Sequence, residues 1–431
     1  ATISDTTITA TLLNTTDGNV PGLLTASDVT TITGAAADIN TAYASTGING
    51  LGNEAITLTD SGTLAASVLV TLDSNTSGTI DASLITNLTG TSADLAALYT
   101  SQGQATGISG LGNETVTISE TPNTAVADAN LINAATTGAV TATLASGSMS
   151  ELASLTGDES QVYTITVTDS SVNASEIITL EDKTSVALNL SNVSTIVGTD
   201  AEIKAVYVLD QNGDVTGLGN EALSVSNIST ITELNDLDSE TTGVITANVQ
   251  SGNASTMSGL ANANGNNAYS YTLTDTSIAA STLNTLDAAT AGTITVSATT
   301  ITGAAADINT AYASSGFSGL GDEAVTINDT TVEASVLNTL NSNTTGLVTA
   351  TSVATLTGTA AAINTLVGNE GDSGDKVNLD SDYVATLSDT TITATVLNAV
   401  NGNVPGTVNA STVATITGAA ADINTAYASS G

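Results

Sequence analysis

The sequence predicts a mainly β fold: a repetitive, β-helix-like β-solenoid with a short helical segment in most units of about 55 residues. Three observations predict it. The first is self-similarity. Residues 1–47 begin ATISDTTITATLLN and end TITGAAADINTAYASTG, and residues 385–431 begin ATLSDTTITATVLN and end TITGAAADINTAYASSG. The two copies are offset by 384 residues, room for about seven units of about 55 residues counted from the first start to the last, which is the mark of stacked repeats. The second is the apolar inventory. There is no Trp, one Phe (Phe317) and nine Tyr, which suits stacked coils of Val, Ile, Leu, Ala and Thr better than a sandwich built on large aromatics. The third is the lack of staples. With no Cys and no His, neither disulfides nor zinc can brace the chain, and continuous stacking is the stabiliser that remains.

The elements of a unit follow in order. In the seventh unit Val325 and Ile327 alternate with polar residues, the period of a strand. Val332, Val336 and Leu340 continue an inward-facing set, a turn occupies 341–346, and a second strand spans 347–358. A helix-like stretch comes next; over 34–45 it places Ala36, Ile39 and Tyr43 at helical spacing. The Gly-rich turn GLGNE, 50–54, closes the unit. Units start near Asp5, Asp60, Glu120, Asp169, Asn227, Asp275, Asp329 and Asp389. The chain therefore reads as one elongated solenoid over 1–431 with about eight repeats. Two coils per unit are expected, one of about 22 residues and one of about 33 that carries the helix; three coils of about 18 residues are the competing count. Residues 158–265 diverge most, and 368–382 replaces the usual helix exit with an acidic insertion.

Charge narrows the partners. The net charge is −39, and Lys183, Lys204 and Lys376 are the only cations. Binding to a phosphate backbone needs clustered Lys or Arg, so nucleic acid is excluded. An anionic membrane surface is excluded on the same ground. No apolar run approaches the ~18 residues that would insert into a bilayer. Carboxylates in such excess must be solvated, screened or neutralised by bound cations, and a calcium-rich exterior suits them. The chain starts in mid-pattern with no visible signal peptide, so a mature or trimmed segment is expected.

Several positions recur. Asn14, Asn133, Asn235, Asn284, Asn338 and Asn398 follow a Leu or Ile, and are expected to ladder at a coil corner and satisfy backbone groups there. Tyr43, Tyr99, Tyr207, Tyr312 and Tyr427 share a place on the helix-like stretch. They make either a sugar-binding stripe or core packing with the hydroxyl at the surface. Acids and amides in the first turn, such as Asp17 and Asn19 or Asp73 and Asn75, serve turns and equally supply oxygen to calcium. The sharpest metal pattern is DQNGDVTGLGNE, 210–221. It places Asp210, Asn212, Asp214 and Glu221 on positions one, three, five and twelve of an EF-hand-type calcium loop, with Val215 where that loop wants Gly. Sequons at Asn14, Asn75, Asn87 and Asn113 matter only in a glycosylating cell. Without His or Cys there is neither the usual general base nor a thiol nucleophile, and the chain is read as no enzyme. Paired acids such as Asp158 and Glu159 are not distinguished from the other carboxylates.

The phrases TITGAAADINTAY and GLGNEA resemble repeats of very large, acidic cell-surface proteins of marine bacteria, cyanobacteria among them. That resemblance implies export, calcium-rich surroundings and a surface or matrix role. The expected function is an extracellular structural protein contributing to a filament, sheath or surface layer. Its expected partner is itself, as a head-to-tail polymer or a longer covalent array. The alternative is a calcium-dependent adhesin stalk or a glycan-binding surface module. Ice binding by a Thr array and a polysaccharide-lyase fold rank behind both.

Overall fold

The computed structural model describes residues 1–374 and 376–429. They form two compact units, Ala1–Glu221 and Ala222–Gly431. In the first, the strand Thr7–Thr9 runs into the helix Ala10–Asn19, and Thr31–Gly34 precedes the helix Ala36–Ala44. Strands pair in parallel with others one turn on. Ile8 faces Ile32, Ile32 faces Ile56, and Ile56 faces Ile80, so successive partners are 24 residues apart (8, 32, 56, 80). A second ladder runs through Leu64, Leu88, Val116 and Val140. Parallel partners need a crossover between them, and here the helices provide it.

The second unit repeats the plan. Ile278, Ile301, Val325, Val348 and Val377 form one ladder, and Val332, Leu356, Ala385 and Val408 another. Helices stack on their sequence neighbours within this unit, as the helix Ala305–Ala313 does on Ala334–Asn343. The core between helices and strands is aliphatic, and in both units its inward strand residues, such as Ile32 and Val325, are buried.

The mainly β expectation is overturned. Sixteen helices alternate with parallel strands among the described residues, which is an α/β arrangement, not a β-solenoid with helices in every second coil. Residues 332–340, expected to continue a strand face, run into the helix Ala334–Asn343. Its buried residues are Ala334, Leu337 and Leu340. The same spacing of three recurs as Ala66, Leu69 and Leu72, and as Ala280, Leu283 and Leu286. Val336 and Thr339 lie off this stripe. They favour strands intrinsically, and burial of the Ala–Leu–Leu stripe outweighs that preference.

Helix starts explain the acids that mark the units. A helix begins with unpaired backbone N–H groups that attract an anion. In the first unit the Ala36, Ser92 and Met149 amides donate to Asp60, Glu120 and Asp169 of the following turn, at 2.8, 2.7 and 2.6 Å. In the second, Ala254, Ala305 and Ala360 donate to Asp275, Asp329 and Asp389 at 2.7, 2.8 and 2.7 Å. The helix Asp200–Asn212 also carries a capping box, Thr199 with Glu202.

The recurring Asn is also relocated. It sits on a helix, not at a coil corner. Asn14, Asn284, Asn338 and Asn398 donate to the carbonyls of Asp38, Asp307, Ala362 and Asp422 on the next helix. Asn130, not Asn133, fills this place in its turn, donating to Ser154 O. The intervening helices use Asn40 and Asn309, which donate onward to Val68 O and Val336 O.

Replacing a cross-turn cap should destabilise the second unit as loss of an N-cap does. Asp329→Ala is expected to cost about 1 kcal/mol, read as a lower thermal midpoint, with Asp329→Asn losing less. An unchanged midpoint in both would show that the cap contributes nothing.

Candidate functional site

The GLGNE turn and the Tyr position meet in space. Gly52, Gly112, Gly219 and Gly321 hold φ of +138°, +110°, +129° and +130°, which a residue with a Cβ rarely adopts. That conformation aims the glycine N–H at the carboxylate two residues on. The bonds are Gly52 to Glu54 at 2.8 Å, Gly112 to Glu114 at 2.7 Å, Gly219 to Glu221 at 2.9 Å and Gly321 to Glu323 at 2.9 Å. Each Glu also accepts the hydroxyl of a Tyr on the preceding helix. Tyr43 reaches Glu54 at 2.6 Å, Tyr207 reaches Glu221 at 3.1 Å, Tyr312 reaches Glu323 at 2.9 Å, and Tyr99 donates to Glu114.

These four carboxylates are at most 2% exposed. A buried carboxylate is tolerable only when hydrogen-bonded, and the turn amide and the phenol supply the bonds. The tyrosine hydroxyls therefore face the interior instead of the surface. Burial, reinforced by the hydrogen bond to the carboxylate, pushes the phenols of Tyr43, Tyr99 and Tyr312 well above their ordinary range. Tyr427, on the helix Ala420–Ala428, is 76% exposed.

The next turn locks the same place. Thr76, Thr136 and Thr344 donate their hydroxyls to the carbonyls of Glu54, Glu114 and Glu323 at 2.8, 2.7 and 2.7 Å. Gly78, Gly138 and Gly346 approach those carbonyls so closely that a Cβ would collide with them.

The four residues of the expected calcium loop lie on successive elements. Asp210 and Asn212 end the helix Asp200–Asn212, which Gly213 closes with φ of +87°. Asp214 precedes the strand Val215–Thr216. The Glu221 carboxylate turns inward onto Tyr207, Gly219 and Asn220. Among the described residues no group of three or more His, Cys, Asp or Glu is placed to hold a metal ion.

Two of the depressions in the first unit differ in character. One is an acidic groove of about 330 Å³ that includes Glu159, Glu181, Ser185 and Asp214. Burial, followed by the charges of Asp214, Asp182 and Glu159, raises the Glu181 carboxyl above its usual range. The other is an apolar hollow of about 190 Å³ beside the four-residue helix Met149–Leu152, lined by Met149, Leu152, Leu155 and Leu180, with Lys183 among its walls. No described helix is long and apolar enough to cross a membrane. No family model matches the chain, and no curated protein matches it.

The sequence shows both halves of the Tyr–Glu pair, the recurring Tyr and the GLGNE turn, at separate places. The signal was present: Tyr43 precedes Glu54, and Tyr312 precedes Glu323, by the same 11 residues. Longer connections of 15 and 14 residues in the Tyr99 and Tyr207 pairs obscured it.

Two outcomes are expected. Tyr43→Phe removes one donor from a buried carboxylate and should cost about 1–3 kcal/mol, measured by denaturant unfolding. The second concerns alkali. Tyr163, Tyr271 and Tyr383 are pushed up to about 12, chiefly by burial, against about 10 in an unfolded chain. A raised phenol keeps its full stabilising effect below pH ~10 and loses it as pH rises towards 12. Tyrosine absorbance should therefore change together with loss of helical circular dichroism above pH ~10. Ionisation of these phenols with the helices intact would contradict this.

Proposed function

We propose that the chain is a structural repeat protein of the cell exterior, contributing to a filament, sheath or surface layer. One observation carries this reading: the recurring motif residues are used to join one turn to the next. The unit-marking acids cap helices, the Asn residues bridge helices, and the GLGNE glutamates are enclosed by Tyr. Residues spent in this way serve regular stacking, and stacked repeats suit scaffolds and spacers. The reading includes no enzymatic step, and its partner is a further copy of the same array.

Electron microscopy of the native material at millimolar calcium, repeated after EDTA, tests it. Long uniform filaments or sheets are expected. If they fray on chelation, calcium braces the polymer; if they persist, stacking alone suffices. Short single rods in both conditions would overturn the polymer reading.

A further inference from the structure

The place filled by Glu54 recurs through the chain, and its occupants fall into two kinds. It holds Glu54, Glu114, Glu221 and Glu323, or Tyr163, Tyr269 and Tyr383. The backbone shows that these places are equivalent. Thr184 and Thr290 donate to the carbonyls of Tyr163 and Tyr269 at 2.8 and 3.0 Å, as Thr76 does to Glu54. Gly292 and Gly406 crowd the carbonyls of Tyr269 and Tyr383, as Gly78 crowds that of Glu54. Tyr163, Tyr269 and Tyr383 are completely buried.

The occupant covaries with the preceding helix. Where it is Glu, the residue seven after the helix start is Tyr: Ala36 and Tyr43, Ser92 and Tyr99, Asp200 and Tyr207, Ala305 and Tyr312. Where it is Tyr, that donor is missing. The helices Met149–Leu152 and Ala254–Met257 stop after four residues, and the helix Ala360–Gly368 carries Val367 at the seventh place. One phenol ring is thus supplied at each of the seven places, from the helix or from the strand.

We propose that this place is a matched-pair register key: a strand Glu requires a helix Tyr, a strand Tyr requires its absence, and mixed pairs are excluded. The physical reason has two parts. Glu without Tyr leaves a void and a buried carboxylate short of a donor. Tyr against Tyr overfills a close-packed core. The key sets which kinds of helix and strand segment can follow one another, so the turns are exchangeable only as matched sets. It goes beyond the scaffold reading and holds whether or not the array polymerises.

A double-mutant cycle in the full chain tests it. Tyr43→Val and Glu54→Tyr are made singly and together, the pair reproducing the Val367–Tyr383 combination. Amide exchange over 48–58 reports local opening. Each single change should speed exchange at least about tenfold, and the pair should return to within about threefold of the parent, a strong non-additivity. A pair as fast as the product of the two singles would overturn the proposal. Should the singles fail to fold, the question passes to the pair and to the reciprocal pair Val367→Tyr with Tyr383→Glu. Folding of both pairs supports the key, and failure of both overturns it.

Discussion

Parallel pairing of strands one turn apart is the constraint on which the rest of the structure depends. A parallel partner cannot be reached by a tight turn, so each pairing needs a crossover. The chain meets this with a helix in every turn, and the spacing of Ile8, Ile32, Ile56 and Ile80 records the result. Each crossover brings a helix N-terminus and a set of loop amides against neighbouring turns, where water cannot satisfy them all. Much of the remaining sequence answers that need.

The answer accounts for part of the charge. Backbone N–H groups at helix starts require acceptors, and a carboxylate is the strongest acceptor available. Asp60, Glu120, Asp169, Asp275, Asp329 and Asp389 serve across turns. Glu151, Glu202 and Glu233 serve within capping boxes of their own helices. Hydrogen bonds from Ser148 and Thr199 hold Glu151 and Glu202 below the usual carboxylate range, and Ser92 does the same for Glu120. Their protonated forms would be weaker acceptors, so these contributions are present above the ordinary carboxylate pKa and are lost as pH falls through the lowered values. Among the described residues no helix of eight or more residues carries a basic group in its last turn. The acidity is thus partly architectural, and does not by itself imply a bound cation.

The Tyr–Glu pairs show how such a chain tolerates variation. A four-residue helix in place of one of nine or ten withdraws packing material from the interior. The strand returns it as Tyr163 or Tyr269. Beside the short helix Met149–Leu152 the hollow lined by Leu152 and Leu180 remains. Within the divergent stretch 158–265, Tyr163 is such a replacement, and Tyr269 follows just after it.

By itself the sequence determined the recurrence of the motifs, the aliphatic make-up of the interior and the absence of Cys and His. Those properties are local or compositional: the acid that begins a unit is visible as a letter whatever it touches. Only the tertiary structure decided that Ala334, Leu337 and Leu340 form a helical stripe, because Val and Thr around them favour strands when burial is ignored. It alone decided that Tyr43 belongs with Glu54, since connections of unequal length hide that pairing in other turns. It alone decided where the Glu221 carboxylate points: Tyr207 and Gly219 draw it inward, because a buried carboxylate goes where donors are fixed.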